Sequence, residues 1–223
     1  TVGVYGVHDI PVDFVIGQVN SVLDDIGADA VKIGMLHSPE LVAALAGVIR
    51  ERGVKNVVLD PVMVATSGGN LMMDEAIDTL KTELCPVATI ITPNIPEAEK
   101  LLNGKRIESV DDMKEAAAEL TDLGCSVLLK GGHLKGDVMI DVLCNNDTLQ
   151  RLELPSDKVK TSNTHGTGCT LSSAIAAELA KGKKLTPAVV AAKEYISEAI
   201  KAGAEYAIGK GHGPVCHFFS LLK

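Results

Sequence analysis

Residues 31–60 read VKIGMLHSPELVAALAGVIRERGVKNVVLD, and this stretch indicates the fold of the chain. Two short apolar runs, residues 31–35 and 54–59, enclose a longer helical pattern at residues 39–52. A strand, a helix and a second strand in this order are typical of a βαβ unit, in which the two strands are parallel. The stretch therefore predicts an α/β fold with a mostly parallel sheet.

The same alternation of strand and helix patterns continues along the chain. Further strands are predicted at residues 89–92, 126–130 and 138–143, and further helices at 12–26, 74–83, 110–123, 171–181 and 187–207. Two β-rich runs within residues 139–154 flank the turn residues 145–147, which predicts an antiparallel hairpin at one sheet edge. Glycine-rich loops are expected at residues 67–69, 131–136 and 209–213. We expect one domain over residues 1–223, with helices on both faces of the sheet.

Composition excludes several classes of partner. The net charge is −8 and no block of lysines or arginines occurs, so a nucleic-acid partner is not expected, whereas a small anionic substrate is compatible with local cations and N–H groups. No apolar run approaches the roughly 18 residues that a membrane span needs. The five cysteines show no CxxC spacing and no secretory signal precedes them, which favours reduced thiols and a cytoplasmic location.

Polar and turn-forming residues follow the first four predicted strands. They are Gly34 and Met35, then Asp60 and Pro61, then Thr92, Pro93 and Asn94, and finally Lys130, Gly131 and Gly132. Ligands of open α/β sheets bind beyond the carboxyl ends of the strands. We therefore expect these residues to converge on one edge of the sheet and to form the site.

The segment THGTGCT at residues 164–170 opens a predicted helix and is the candidate anion site. Gly166 and Gly168 allow the backbone to approach a ligand, and free N–H groups at the positive end of a helix dipole bind anions. Thr167 and Thr170 add hydroxyl donors. An ordinary glycine turn capped by threonine explains the same residues equally well.

Cys169 lies beside this predicted helix start, where the dipole favours a thiolate that serves as a base or a reactive thiol. A small buried apolar side chain is the commoner role of a free cysteine. His165 is close in sequence, but sequence neighbours rarely form the nucleophile and base of a hydrolase. A Cys-His hydrolase is therefore disfavoured.

Other strand-end residues also have two interpretations. Asp60 is suited to hold Mg²⁺ through water, or it caps a turn. Asn94 and Glu97 have the spacing of a capping box, and positioning of Mg²⁺ and phosphate is the competing role. Lys130 reaches a polyphosphate across the edge, or it is a solvated surface lysine. Met35 forms an apolar wall for a flat heterocycle together with Val62, although methionine in this place is more often core.

Six segments in order resemble the hydroxymethylpyrimidine and hydroxymethylpyrimidine phosphate kinases of the ribokinase-like superfamily. They are KIGML at residues 32–36, DPVM at 60–63, ITPNIPEAEKLL at 91–102, VLLKGGH at 127–133, NTHGTGCTLSSAIAA at 163–177 and GKGHGPV at 209–215. The resemblance implies a three-layer α/β/α sandwich, ATP with Mg²⁺, and phosphorylation of 4-amino-5-hydroxymethyl-2-methylpyrimidine and then of its monophosphate for thiamine biosynthesis. Homodimers are common in this family.

The resemblance also implies roles for individual residues. It places Gly166, Thr167 and Gly168 in the anion hole and Cys169 at the catalytic base, where many relatives have aspartate. The other assignments are Met35 and Val62 against the pyrimidine, Asp60 and Glu97 near Mg²⁺, and Asn94, Lys130 and Thr167 near the nucleotide phosphates.

One departure from the family pattern concerns the beginning of the chain. Family members open with a strand, a glycine-rich loop and a Gln-bearing segment that contacts the pyrimidine, and the match here begins after them. We expect the full protein to contain that segment. The alternatives are a pyridoxine or pyridoxal kinase, whose members share the GTGC turn, and a non-catalytic relative that binds thiamine precursors. A nicotinamide oxidoreductase is disfavoured, because no GxGxxG opens a helix after a strand.

Overall fold

The computed structural model describes residues 2–63, 71–134 and 138–221, and it contains one six-stranded sheet. The strands are β1 (Val31–Ile33), β2 (Val57–Leu59), β3 (Ile90–Ile91), β4 (Ser126–Leu129), β5 (Val138–Cys144) and β6 (Arg151–Asp157). They lie side by side in chain order. The first four are parallel, and β5 runs antiparallel to both β4 and β6. The predicted parallel sheet with an antiparallel edge hairpin is confirmed.

Seven α-helices precede, connect or follow these strands within the described residues. They are α1 (Val12–Asp25), α2 (Pro39–Arg52), α3 (Asp74–Thr79), α4 (Ile95–Leu101), α5 (Val110–Leu120), α6 (Thr167–Ala180) and α7 (Leu185–Gly203). After α3 the chain continues through a π-helical turn, Leu80–Leu84, and a 3₁₀ turn, Cys85–Val87. None of the helices in the described ranges combines the length and apolar character that a bilayer crossing requires.

Local sequence signals explain where α2 begins and ends. The Ser38 side chain accepts a hydrogen bond from the Leu41 N–H, and Pro39 occupies the first turn, where its missing N–H has no cost. Gly53 ends the helix in the left-handed conformation, with φ of 60°, which a residue without Cβ adopts freely. The predicted bounds of this helix are therefore confirmed.

The core lies on both faces of the sheet, because alternate strand residues point in opposite directions. Val57 and Leu59 belong to the cluster that buries α2, α3, α4 and α5. Val58, between them, belongs to the second cluster, which buries α6 and α7. The architecture is thus the predicted three-layer α/β/α sandwich, and it leaves the carboxyl edge of the parallel strands next to the start of α6.

Several predicted helix boundaries differ from the structure, and two of them bear on the site. α6 begins at Thr167 rather than 171, so the glycine segment forms its first turn. α7 ends at Gly203 rather than 207, because the side-chain amide of Asn163 donates hydrogen bonds to the carbonyl groups of Gly203 and Ala204. The predicted loop at residues 67–69 and the end of the one at 131–136 lie outside the described residues.

Candidate active site

The carboxyl ends of the parallel strands align three polar residues. The Asp60 N–H bonds the Ile33 carbonyl at 2.9 Å, and the Thr92 N–H bonds the Leu59 carbonyl at 2.9 Å. The Lys130 N–H bonds the Pro93 carbonyl at the same distance. Strand pairing therefore continues past β2, β3 and β4, and it sets Asp60, Thr92 and Lys130 at one edge of the sheet.

Asp60 is the centre of a buried polar cluster. Its Oδ1 accepts hydrogen bonds from Lys130 Nζ at 3.0 Å and from Thr92 Oγ1 at 3.2 Å. Its Oδ2 lies 3.3 Å from Ser172 Oγ on α6. The Asp60 side chain is 2% exposed and the Lys130 side chain 16%. Lys130 is therefore not a solvated surface lysine, and the charge pair has low-dielectric surroundings on most sides.

The first turn of α6 presents backbone donors toward this cluster. Gly166 precedes it with φ of 80°, a conformation that favours glycine. The Thr167 N–H and hydroxyl both donate to the Thr164 carbonyl, at 3.3 and 3.1 Å. Within the described ranges, the N–H groups of Gly168 and Cys169 have no acceptor. The backbone, rather than the Thr167 hydroxyl, thus has donors free for an anion.

Gly168 lies directly against the charge pair. A Cβ added to this residue would be 3.2 Å from Lys130 Nζ and 3.9 Å from Asp60 Oδ2. The absence of a side chain therefore permits the close approach of α6 to the strand edge. The helix N-terminus, the ammonium group and the carboxylate converge on one point, as the sequence predicts.

Asn94 and Glu97 form the capping box that their spacing predicts. The Asn94 side chain accepts from the Glu97 N–H at 2.9 Å, and the Glu97 carboxylate accepts from the Asn94 N–H at 2.7 Å. The pKa of Glu97 is raised to about 7, mainly by burial and to a smaller extent by the Asp60 charge, while Lys130 and the hydrogen bond from the Asn94 N–H act in the opposite direction. Asn94 also bridges to Lys130 in the sheet. The capping role of Asn94 and Glu97 is therefore confirmed, and both residues also lie beside the cluster around Asp60 and Lys130.

The donor set at this edge fits a magnesium ion held mostly by water and phosphate. In the part of the chain that the structure describes, no three His, Cys, Asp or Glu side chains are grouped as a metal cage. Mg²⁺ is usually bound by one or two carboxylates together with substrate phosphates and several waters. Asp60 and Glu97 supply two buried carboxylates that are close enough for Asp60 to shift the pKa of Glu97.

The predicted pyrimidine contacts lie at the same edge of the sheet. Met35 follows β1 and is 43% exposed, and Val62 follows β2 and is partly exposed. Their chain neighbours Leu36 and Met63 are buried instead. Met35 is therefore not a core residue, and its contact with a heterocycle remains a prediction.

Cys169 is the one exposed thiol, since the other four cysteines are buried. The structure thus excludes the interpretation of Cys169 as a small buried apolar side chain. Cys169 lies at one end of a cleft of about 540 Å³ between α6 and α7, whose lining includes Ala174, Tyr195 and His217. In the described residues no hydrogen bond joins Cys169 to His165, whose N–H bonds the Gly213 carbonyl. The Cys-His alternative therefore has no geometric support.

Sequence reasoning missed two residues of this site. Ser172 was not singled out, although it lies four residues after Gly168 and hence on the same helical face. Asn163 is buried, and its amide donates to the carbonyls of Gly203, Ala204 and Tyr206, which ties the glycine segment to the end of α7. No periodicity indicates that second contact, because its partners lie 40 or more residues away.

Comparison with known proteins gives one consistent result. A hydroxymethylpyrimidine/phosphomethylpyrimidine kinase of Rhizobium meliloti is 46% identical over 225 residues, which cover 100% of this chain and 83% of that protein. The thiamine biosynthesis bifunctional protein ThiED of Geobacter sulfurreducens is 45% identical over 99% of this chain. The solved ADP complex of Bacillus subtilis pyridoxal kinase has a TM-score of 0.89 and 39% identity, and the match covers 98% of this chain and 81% of that one.

This chain covers a smaller share of a bifunctional relative than of a single-function relative. This chain spans 44% of the length of the bifunctional ThiED protein and about four fifths of the single-function kinase. The family described as phosphomethylpyrimidine kinase matches residues 1–216. With the identities above, this match confirms the resemblance on which the site assignments depend: the chain belongs to the phosphomethylpyrimidine kinase family.

Proposed function

We propose that this chain transfers the γ-phosphoryl group of ATP to hydroxymethylpyrimidine and then to its monophosphate, which gives the diphosphate for thiamine biosynthesis. The main support is the position of Gly168, whose missing side chain brings free N–H groups beside Lys130 and Asp60. A cation and backbone donors on one point form an anion site suited to a transferring phosphoryl group. The names of the relatives support the acceptor.

The reaction is an in-line displacement at phosphorus. The acceptor oxygen forms a bond to the γ-phosphorus, the bond from that phosphorus to the bridging oxygen breaks, and ADP leaves. The N–H groups of Gly168 and Cys169 and the ammonium of Lys130 stabilise the charge on the phosphoryl oxygens. Most of the rate enhancement comes from positioning and electrostatics, as in other phosphoryl transfers.

Cys169 accepts the proton that the acceptor hydroxyl loses in the first transfer. Its side chain is exposed at the start of α6, beside the free N–H groups, and it acts as a base in the thiolate form. In the second transfer the attacking group is a phosphate oxygen, which is already ionised near neutral pH. The base is therefore needed far less in the second step than in the first.

The remaining predicted residues bind the two substrates and the metal. Asp60 and Glu97 would hold Mg²⁺, and the ion would supply charge neutralisation at the phosphates. Asn94, Lys130 and Thr167 border the nucleotide phosphates. The cleft between α6 and α7, which Cys169 helps to line, has a volume of about 540 Å³ and would receive the nucleoside part of ATP. Met35 and Val62, which follow neighbouring strands at the same sheet edge, contact the flat pyrimidine.

Coupled measurement of ADP release from the full-length protein tests this assignment. Hydroxymethylpyrimidine, its monophosphate and pyridoxal serve as alternative acceptors, each with saturating MgATP. We expect kcat/KM to be highest for the two pyrimidines. Faster turnover of pyridoxal would favour the pyridoxal kinase alternative, which the B. subtilis structure makes the nearest competitor. Pyrimidine binding without ADP release would favour a non-catalytic relative.

Two properties of the whole protein are part of the same proposal. Five free cysteines suit a reducing compartment, which supports a cytoplasmic enzyme. A homodimer is proposed from the family resemblance, and light scattering of the full-length protein tests it. Small-molecule substrates, rather than nucleic acids or membranes, remain the expected partners of a chain with net charge −8.

A further inference from the structure

A buried ion pair lies behind the Lys130 end of β4 and has no part in the chemistry proposed above. Lys193 on α7 donates to Oδ2 of Asp141 on β5 at 2.5 Å. The two side chains are 8% and 4% exposed. A pair of this kind adds little stability over a well-packed apolar pair, because both charges lose their hydration. Its occurrence therefore calls for a role in addition to stability.

The second oxygen of Asp141 holds the backbone next to Lys130. Asp141 Oδ1 accepts a hydrogen bond from the Gly131 N–H at 2.8 Å. One residue earlier, the Lys130 N–H donates to the Pro93 carbonyl at 2.9 Å. The peptide groups on both sides of Lys130 are thus fixed, one by strand β3 and the other by the ion pair.

Close packing at Gly131 prevents the Lys130–Gly131 segment from moving toward β5. A Cβ on Gly131 would overlap the carbonyl oxygen of Ile140. The residue therefore lies in backbone contact with β5 while its N–H points to the Asp141 carboxylate. The ammonium of Lys193 balances that carboxylate, so the hydrogen bond to Gly131 has a charged acceptor and is stronger than a neutral one.

We propose that Asp141 and Lys193 are positioning residues for phosphoryl transfer. They fix the Lys130–Gly131 corner, and through it they hold the Lys130 ammonium between Asp60 and the first turn of α6. The inference rests on the proposed kinase function and extends it to residues that do not touch substrate. A displacement of about 1 Å in a phosphate-binding group lowers a rate by up to roughly a hundredfold.

Apolar replacement of the whole pair separates positioning from stability. The double variant Asp141→Leu/Lys193→Met leaves no buried charge, although the Gly131 N–H loses its acceptor, so it should fold with a thermal midpoint modestly below that of the wild type. We expect its kcat to fall about tenfold to a hundredfold, with a weaker affinity for MgADP and an unchanged KM for hydroxymethylpyrimidine. Lys193→Arg keeps the charge and should retain most of the activity.

Leu143→Ala is the matched control. Leu143 is buried on the same strand and faces the same helices, but it has no contact with the Lys130–Gly131 corner through a side-chain hydrogen bond in the described residues. This variant should be destabilised and yet keep the wild-type kcat and MgADP affinity. A similar loss of kcat in Leu143→Ala would show that general loosening, rather than positioning, causes the effect.

The proposal is overturned if the double variant has wild-type kcat and wild-type MgADP affinity. A wild-type protein that is inert toward all three acceptors would instead reject the proposed function. In that case the affinity for MgADP, measured by calorimetry, still decides whether the pair positions Lys130. A double variant that does not fold is replaced by Asp141→Val/Lys193→Leu, a second apolar pair for which we expect the same changes in kcat and MgADP affinity, and unchanged values would reject the proposal.

Discussion

Replacement of Lys130 by methionine removes the ammonium group and keeps the length of the side chain. Lys130 Nζ is 3.0 Å from Asp60 Oδ1 in a cluster that is largely shielded from solvent. At an effective dielectric constant of about 20, two charges at this distance attract each other by roughly 5 kcal/mol. Loss of one partner from a buried pair generally costs about 3–5 kcal/mol, because the other charge is left without compensation.

Asp60 keeps two other donors, the hydroxyls of Thr92 and Ser172, so the lower end of this range applies. We expect Lys130→Met to lower the free energy of unfolding by about 3 kcal/mol. In a domain of this size that loss corresponds to a decrease of roughly 6–12 °C in Tm. Because the ammonium also stabilises the transferring phosphoryl group, kcat should fall by a factor of about 10²–10³.

The assay compares Tm by calorimetry and kcat by ADP release for the wild type and three variants. Lys105→Met is the matched control, since Lys105 pairs with Glu119 at 2.6 Å on the surface, with the side chains 38% and 48% exposed. It should leave both Tm and kcat close to their wild-type values, because an exposed ion pair contributes little to stability. The double variant Asp60→Asn/Lys130→Met should regain stability and remain inactive. A Lys130→Met enzyme with kcat within threefold of the wild type would refute the reasoning.

Three further changes follow from the same geometry. Cys169→Ala should lower kcat for hydroxymethylpyrimidine at least tenfold more than kcat for its monophosphate, and equal losses in both steps would contradict its role as a base. Gly131→Ala should destabilise the fold by about 3 kcal/mol because its Cβ would overlap the Ile140 carbonyl, whereas Gly132→Ala, with its nearest contact at 3.4 Å, should be nearly neutral in urea unfolding. Since the pKa of Glu97 is about 7 without metal, this carboxyl is largely protonated below pH 7 and must lose its proton to hold Mg²⁺. The Mg²⁺ affinity of the ADP complex, measured by calorimetry, should therefore rise from pH 6 to pH 8. Part of this rise comes from deprotonation of the ADP phosphates themselves. Glu97→Gln should remove the remaining part.

The order of elements was predictable from the sequence because strand and helix patterns are local. The bounds of the strands were less predictable. Residues 54–59 were predicted as one strand, but β2 starts only at Val57. The Val54 N–H still bonds the Ile49 carbonyl at the end of α2 and is not available to the sheet, and Asn56, with φ of 55°, is not extended. Such a turn depends on how the helix meets the sheet, which an apolar pattern does not contain.

For the site, the sequence indicated which residues meet but not how they are held. The expectation that strand ends converge was sufficient to bring Asp60 and Lys130 together. The burial of Lys130 was left open, because it depends on a carboxylate 70 residues earlier in the chain. Ser172 contacts Asp60 across 112 residues, and no local pattern predicts such a contact. The catalytic and binding roles assigned to these residues remain predictions that the variants above will test.

The order of strands in the sheet has a consequence for synthesis on the ribosome. Each strand pairs with the one that precedes it in the chain, so the sheet can extend in the direction in which the polypeptide emerges. The helices that cover its second face, α6 and α7, emerge last. Until then Val58, Ile90 and Leu128 expose an apolar surface, and Asp60 lacks the helix that completes its surroundings. A nascent chain stalled before residue 167 should therefore attract chaperones and show no affinity for nucleotide.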